Sequence, residues 1–229
     1  MTRVLAIATN NAADINGKKT GLWLSELTHF LDVIVEAGFT YDLASPLGGK
    51  IPLDERSLDA LQSDPINARF MADPAFVESL ERSMKCADVD AARYDAIFLS
   101  GGHGTMFDFR QSGDLQRVIT ALAGAGRYLT GVCHGVAGFI DAVDPSGAVI
   151  VKGKRVTGFS NVEDTLAGAK SSLPYLLEDE LEKSGADYHK NLLPFTSRVE
   201  VDGTLITGQN PQSAKAVGEK LVEQLRATR

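Results

Sequence analysis

Gly131-Val132-Cys133-His134-Gly135 is the most informative motif of this sequence for the fold. It follows the apolar residues 128–130 and leads into the small, helix-compatible residues 136–140, which predicts a strand, a sharp turn and a helix. Glycines on both sides of the cysteine let the backbone turn without side-chain clashes. The positive end of the following helix would favour the thiolate of Cys133. A buried structural cysteine is the alternative, and the surrounding sequence favours the reactive thiol.

The composition narrows the class of protein. A chain of 229 residues suits one α/β domain, and we predict a single domain over 1–229. The net charge of −7 and the dispersed Lys and Arg residues exclude a nucleic-acid partner. Two distant cysteines, Cys86 and Cys133, indicate a reducing compartment. The first apolar run is too short for a signal peptide and no stretch is long enough to cross a bilayer, so we expect a cytoplasmic protein without a membrane partner.

Apolar runs alternate with helical patterns along the chain, which predicts a doubly wound, mostly parallel sheet sandwiched by helices, a flavodoxin-like α/β fold. Residues 50–92 are more polar and are interpreted as an insertion or partial lid. Strands are predicted at 4–8, 41–45, 96–100, 128–130, 149–151 and 155–157, with a hairpin over 199–207. Helices are predicted near 22–37, 76–84 and 114–123, in a stretch to about 184 that is broken at Pro174, and from Asn210 onward.

Two turns should meet at one edge of this sheet. Gly101-Gly102-His103-Gly104 follows one strand and the Cys133 turn follows another. In doubly wound sheets ligands bind at the carboxyl ends of the strands, so we expect both turns to face one pocket.

Several motifs, in order along the chain, resemble the ThiJ/PfpI superfamily, a relative of class I glutamine amidotransferases. Within it, the sequence is similar to the branch of heat-shock chaperones and glutathione-independent glyoxalases (glyoxalase III). The motifs are Lys19-Thr20-Gly21 with Glu26, Ser45-Pro46-Leu47-Gly48-Gly49, Gly102-His103-Gly104-Thr105-Met106-Phe107-Asp108, Val132-Cys133-His134-Gly135, Thr157-Gly158-Phe159-Ser160-Asn161 and Gly208-Gln209-Asn210-Pro211. The resemblance implies a homodimer that acts on a small reactive dicarbonyl without glutathione.

The resemblance also implies site residues. Cys133 matches the nucleophile, Glu26 the carboxyl near the thiol, and His134 the histidine after the nucleophile. Asp164 matches the acid that orients this histidine, although an offset of one residue would select Glu163. Taken alone, a helix glutamate such as Glu26 would be a solvated surface residue; near the thiol, its pKa should be raised. His134 could instead have a structural role, because the residue after a nucleophile can point away from the pocket.

The turn after the third strand has the remaining candidates. By the same resemblance, the amides of Gly101, Gly102 and His134 are the expected oxyanion donors. His103 lines the pocket or stabilises the turn, and the two roles are equally supported. Trp23, Phe107 and Phe109 could line a pocket, but a core position is the better prediction for each.

Other sites find no support. No set of His, Cys and carboxylate residues has a metal-binding spacing, and the glycine-rich turn matches neither a phosphate loop nor a dinucleotide fingerprint, so we expect neither a metal nor a cofactor. The only histidine downstream of the cysteine motif is His189, which argues against a glutaminase with a distant His-x-Glu pair.

Three functions follow. The first is a glyoxalase III-like lyase of the D-lactate dehydratase type, in which the thiol forms a hemithioacetal with a 2-oxoaldehyde such as methylglyoxal and Glu26 moves a proton. The second is a cysteine amidase or peptidase using Cys133, His134 and Asp164. The third is a stress-response chaperone or redox sensor, which would need apolar surface or an oxidisable thiol.

Overall fold

The computed structural model describes residues 2–59 and 63–227. The strands of this part are β1 (Arg3–Ile7), β2 (Thr40–Ser45), β3 (Met84–Lys85), β4 (Ala96–Leu99), β5 (Tyr128–Val132), β6 (Arg155–Val156), β7 (Asp187–Tyr188), β8 (Val199–Asp202) and β9 (Leu205–Gly208). The helices are α1 (Leu24–Glu36), α2 (Glu55–Leu58), α3 (Pro65–Ala72), α4 (Pro74–Glu81), α5 (Thr105–Asp108), α6 (Gly113–Gly124), α7 (Asn161–Leu166), α8 (Leu177–Lys183) and α9 (Ala214–Ala227). The predicted single domain over 1–229 includes residues 1, 60–62, 228 and 229, which lie outside the described residues.

A seven-stranded sheet forms the centre of the molecule, in the order β3-β2-β1-β4-β5-β9-β8. All neighbouring pairs are parallel except β8 and β9, which form an antiparallel hairpin at one edge. This confirms the predicted mostly parallel sheet and the hairpin. The strands β1, β4 and β5 lie next to each other, so their carboxyl ends converge on one edge.

Helices cover the sheet on both faces. Successive side chains of a strand point to opposite faces, and β4 shows this directly. Phe98 stacks on Phe30 of α1 with ring centroids 3.6 Å apart. Its neighbour Leu99 and Ile119 of α6 converge on Gly138 from the other side. Strands buried on both faces read as continuous apolar runs, which is why β1 and β4 were recognisable in the sequence.

Most predicted elements are confirmed within one or two residues. The helix α1 ends where Gly38 takes a left-handed φ of +79°, the conformation that glycine adopts without strain. Asn210 caps the last helical segment as predicted, but the segment begins with a 3₁₀ turn over Pro211–Ser213 before α9. No helix within residues 2–59 and 63–227 is long and apolar enough to span a bilayer.

Three predictions were wrong in part. The residues 149–151 form no strand, and Val149 makes only an isolated bridge to Val143. The predicted strand 155–157 forms as Arg155–Val156 and pairs in parallel with β7. The predicted helix 76–84 ends at Glu81, and β3 then returns the chain to the sheet as an edge strand. The segment after Cys133 is a 3₁₀ helix rather than an α-helix.

Candidate active site

Cys133 lies in a strained turn, at the point where β5 ends and the 3₁₀ helix Cys133–Phe139 begins. Its φ is +54°, a left-handed conformation that is uncommon for residues other than glycine and that is often found at functional sites. Gly135 is required beside it, since a Cβ there would overlap the backbone of Leu99. The geometry confirms the sharp turn that the sequence predicted, with the sulfur facing a pocket.

Glu26 is fully buried beside the thiol, not solvated as its helix position alone would suggest. The N–H of Gly101 donates to its Oε2 over 2.9 Å, and its carboxyl also hydrogen-bonds to Cys133. Its other oxygen, Oε1, is buried without a partner among the described residues. Burial raises the pKa of Glu26 to about 8, and the hydrogen bonds from Cys133 and Gly101 only partly offset this rise. Glu26 can therefore hold or release a proton near neutral pH.

The thiol itself is not the resting thiolate that the helix position suggested. Burial raises the pKa of Cys133 well above its ordinary value, and a charged Glu26 raises it further. The N–H of His134 lies against the sulfur and lowers the pKa only in part. The short 3₁₀ segment that follows also gives a weaker dipole than a full α-helix. The thiol thus needs a base to activate it.

His134 lies between the thiol and a carboxylate. Its Nδ1 lies 3.4 Å from the Cys133 sulfur, and its Nε2 lies 3.1 Å from Oδ1 of Asp164. Burial alone would raise the pKa of Asp164, but the charge of a protonated His134 and the hydrogen bonds from His103 and His134 outweigh it and hold this pKa well below the usual range. The three side chains form a continuous chain from thiol to carboxylate, and Asp164 rather than Glu163 is the acid that contacts His134.

Glu163 has a different set of contacts. It is fully buried and completes a capping box with Ser160 at the start of α7. Its carboxylate also accepts hydrogen bonds from the side chains of Gln209 and Asn210 and from the N–H of Phe195. The Ser-x-x-Glu spacing at 160–163 was a readable capping signal in the sequence. Glu163 therefore joins α7 to the loop that carries Phe195 and to the Gly208–Pro211 motif.

The oxyanion donors differ from the prediction at one position. The N–H of Gly101 is engaged by Glu26 and is not directed at a substrate. Gly102 has a φ of +107° and lies in the pocket lining together with His134. The amides of Gly102 and His134 remain the candidate donors.

A cavity of about 280 Å³ opens above the sulfur. Trp23, Phe159 and Phe195 contribute aromatic walls, whereas Phe109 is a core residue as predicted. The core prediction for Trp23 was wrong, because this residue precedes α1 at the carboxyl edge of the sheet and turns toward the cavity.

Arg56 also lines the cavity, and no pattern in the sequence pointed to it. It lies on α2, within the segment interpreted as an insertion or partial lid. Its guanidinium binds Asp54 through Nε and Nη2 at 2.9 and 2.7 Å. Its Nη2 lies 3.1 Å from Nδ1 of His103, whose Nε2 lies 3.3 Å from Oδ1 of Asp164. His103 thus belongs to the site.

Comparison with known proteins agrees with this geometry. The model of the DJ-1/PfpI family matches residues 19–224. The chain belongs to the DJ-1/PfpI family. It is 32% identical over 231 residues to "Glyoxalase 3" of Candida albicans, with 97% of this chain and 98% of that protein covered. It is 33% identical over 218 residues to "Glutathione-independent glyoxalase HSP31" of Saccharomyces cerevisiae, with 92% of each covered.

A solved structure matches this DJ-1/PfpI protein along nearly its whole length. It is the X-ray structure of the Rapid Encystment Protein 24 kDa of Francisella tularensis, with a TM-score of 0.93 and 37% sequence identity. The match covers 98% of this chain and 99% of that one.

One set of side chains in this DJ-1/PfpI site has the composition of a metal site. Donor atoms of His103, His134 and Asp164 lie within 4.8 Å of one another. The sequence did not show this set, because its members are far apart along the chain. A histidine binds a metal through an unprotonated nitrogen. Arg56 can only donate, so Nδ1 of His103 accepts and the hydrogen lies on Nε2, the atom that a metal would need. The arrangement fits a hydrogen-bonded network and not a metal.

Proposed function

We propose that this protein is a glutathione-independent glyoxalase, a lyase that converts 2-oxoaldehydes such as methylglyoxal to 2-hydroxy acids. The observation that carries the proposal is the pairing of the Cys133 thiol with Glu26, a fully buried carboxyl whose pKa is raised to about 8. The reaction needs one nucleophile and one group that gains and loses a proton. The similarity to two proteins named glyoxalases over more than nine-tenths of the chain supports the same conclusion.

The first step adds the thiol to the aldehyde carbon. The Cys133 sulfur forms the C–S bond while its hydrogen passes to Nδ1 of His134, 3.4 Å away. Asp164 at Nε2 stabilises the imidazolium that results. The former carbonyl oxygen takes the negative charge beside the amides of Gly102 and His134 and is then protonated by the imidazolium. The product of this step is a hemithioacetal.

The second step moves a hydrogen between the two carbons. Glu26, as the carboxylate, removes the proton from the sulfur-bearing carbon to give an enediolate and returns it to the neighbouring carbon, while the hydroxyl proton moves from the oxygen of the first carbon to that of the second. The former aldehyde carbon is thereby oxidised to a thioester and the ketone carbon is reduced to an alcohol, so no external oxidant is involved. Water hydrolyses the thioester, which releases lactate from methylglyoxal and restores the thiol.

The test is lactate formation from methylglyoxal in the absence of glutathione. Turnover by the wild type should be lost in Cys133→Ala and in Glu26→Gln. Cys86→Ala is the matched control, because Cys86 is also a buried cysteine but is not among the residues that line the cavity. No turnover by the folded wild type would overturn the proposal, as would full activity in Cys133→Ala.

A cysteine peptidase would use the same thiol, His134 and Asp164. It has no use, however, for a carboxyl beside the sulfur that gains and loses a proton, and Glu26 therefore favours the glyoxalase. Hydrolysis of peptide amides by the wild type without lactate formation would reverse this choice.

A chaperone activity is a second candidate, favoured by exposed apolar side chains on α7 and the loop before β8. These are Val162, Leu166, Leu192, Leu193 and Phe195. Suppression of client aggregation should survive Cys133→Ala, whereas the glyoxalase activity should not. The cytoplasmic location, the homodimer, the role in stress and the absence of nucleic-acid or membrane partners stay predictions from the sequence.

A further inference from the structure

Arg56 is connected to the reacting thiol through a series of hydrogen bonds. Its Nη2 meets Nδ1 of His103, Nε2 of His103 meets Asp164, and Asp164 meets Nε2 of His134, whose other nitrogen faces the Cys133 sulfur. Nothing in the glyoxalase mechanism above uses Arg56 or His103.

The donor and acceptor roles in this series are fixed by chemistry. A guanidinium has N–H groups and no acceptor, so Nδ1 of His103 must accept. A neutral imidazole with a lone pair on Nδ1 carries its hydrogen on Nε2, and this hydrogen points at Oδ1 of Asp164 over 3.3 Å. Asp164 thus receives two N–H donors, one from each histidine. The opposite tautomer of His103 would place a lone pair against the carboxylate.

We propose that Arg56 is a positioning residue that holds His103 as the neutral Nε2–H tautomer, so that Asp164 stays fixed and free to orient His134. The proposal deepens the proposed glyoxalase function, since it concerns the proton acceptor of the same thiol.

Arg56 is itself held for this role. Asp54 caps α2, is nearly fully buried, and binds the guanidinium through both carboxylate oxygens. The guanidinium carbon also lies 5.9 Å from the centre of the Trp23 ring, a distance that allows a cation–π contact. Both contacts limit the motion of the group that donates to His103.

The environment of His103 agrees with a neutral ring. The residue is 7% exposed, and its ring lies 4.4 Å from that of His134, centroid to centroid. Burial lowers the pKa of His103, and the neighbouring His134 lowers it further. A positively charged His103 would make His134 a poorer acceptor for the thiol hydrogen.

The direct test is the tautomer of His103, read by long-range proton–nitrogen NMR of the ¹⁵N-labelled full chain at pH 7.5. The wild type should show the hydrogen on Nε2 only. Arg56→Met keeps a side chain of similar length and removes the donor. Nδ1 of His103 is then free to take a proton, and the ring should become an imidazolium with hydrogens on both nitrogens. A wild-type His103 with its hydrogen on Nδ1, or an unchanged neutral ring in Arg56→Met, would overturn the proposal. This measurement needs no activity, so it stands apart from the outcome of the glyoxalase assay.

Kinetics provide a second test if the chain makes lactate. Arg56→Met should lower kcat about ten- to a hundredfold, the size expected for one hydrogen bond to a charged group. The loss should vanish in a His103→Gln background, because Arg56 acts through that ring. An equal loss in both backgrounds would show that Arg56 does not act through His103. Arg69→Met is the matched control, since Arg69 also pairs with an aspartate, Asp32, but does not line the cavity.

Discussion

Glu26→Gln should be inactive, and its stability relative to the wild type should increase as the pH rises. The carboxyl is fully buried, and burial raises its pKa from 4.5 to about 8. Between these two values the unfolded chain has lost the proton and the folded chain has kept it. The unfolded state then binds fewer protons, so the free energy of unfolding falls as the pH rises.

The magnitude follows from the pKa of the folded state. Between the two pKa values, each rise of one pH unit lowers the free energy of unfolding by about 1.4 kcal/mol, so Glu26 removes about 4 kcal/mol of stability between pH 5 and pH 8. Glutamine has the shape of the protonated acid and keeps an oxygen for the N–H of Gly101. Glu26→Gln does not titrate and should lose this dependence on pH.

The assay is equilibrium unfolding in urea, under reducing conditions, at several values between pH 5 and pH 8. The quantity of interest is the difference in unfolding free energy between Glu26→Gln and the wild type, because groups common to both proteins cancel. It should grow by about 4 kcal/mol across the window. Glu36→Gln, an exposed glutamate at the end of the same helix, is the control and should give a constant difference. A constant difference for Glu26→Gln as well would show that burial does not raise its pKa, and the observation on which the proposed function rests would be lost.

Three further predictions concern the same site. The carboxylate of Glu26 is the form that removes a proton, so kcat for lactate formation should fall about tenfold for each pH unit below about 8; a profile flat from pH 6 to 8 would contradict this role. Gly101→Ala would place a Cβ 2.9 Å from that of Cys133 and against the Glu26 carboxyl. This overlap should lower kcat at least about a hundredfold and reduce the melting temperature by several degrees. Unchanged kinetics would show that the site can relax. Asp164→Asn should lower kcat about a hundredfold or more in the lactate assay, with little loss of stability. Glu163→Gln should lower the free energy of unfolding in urea by about 3 kcal/mol and affect kcat far less. The reverse pattern would exchange the roles of the two acids.

Local sequence patterns were sufficient to predict most of the strands and helices of the fold. The strands β1 and β4 are apolar at nearly every position because both faces of a central parallel strand are covered. The Cys133 turn was readable because only small flanking residues fit it, and Asn210-Pro211 because capping is a local property. The segment at 149–157 was misjudged because a two-residue strand such as β6 depends on a distant partner, β7, and has no periodicity of its own.

Glu26 was identified as a site residue from the family resemblance and not from the periodicity of its helix. A glutamate on an amphipathic helix is normally solvated. Whether it is buried depends on which strand ends face that helix, and here the turn at Gly101 covers it.

The doubly wound sheet, the cysteine turn and the family could be predicted from the sequence alone, since each depends on residues close together or on ordered motifs. Four features became visible only in the folded chain: the contact of Asp164 rather than Glu163 with His134, the hydrogen bond from the Gly101 amide to Glu26, the raised pKa of the Cys133 thiol, and the contact of Arg56 with His103. All four have the same cause. Hydrogen-bond partners and desolvation depend on positions in space, and segments separated by tens of residues set those positions only when the chain is folded.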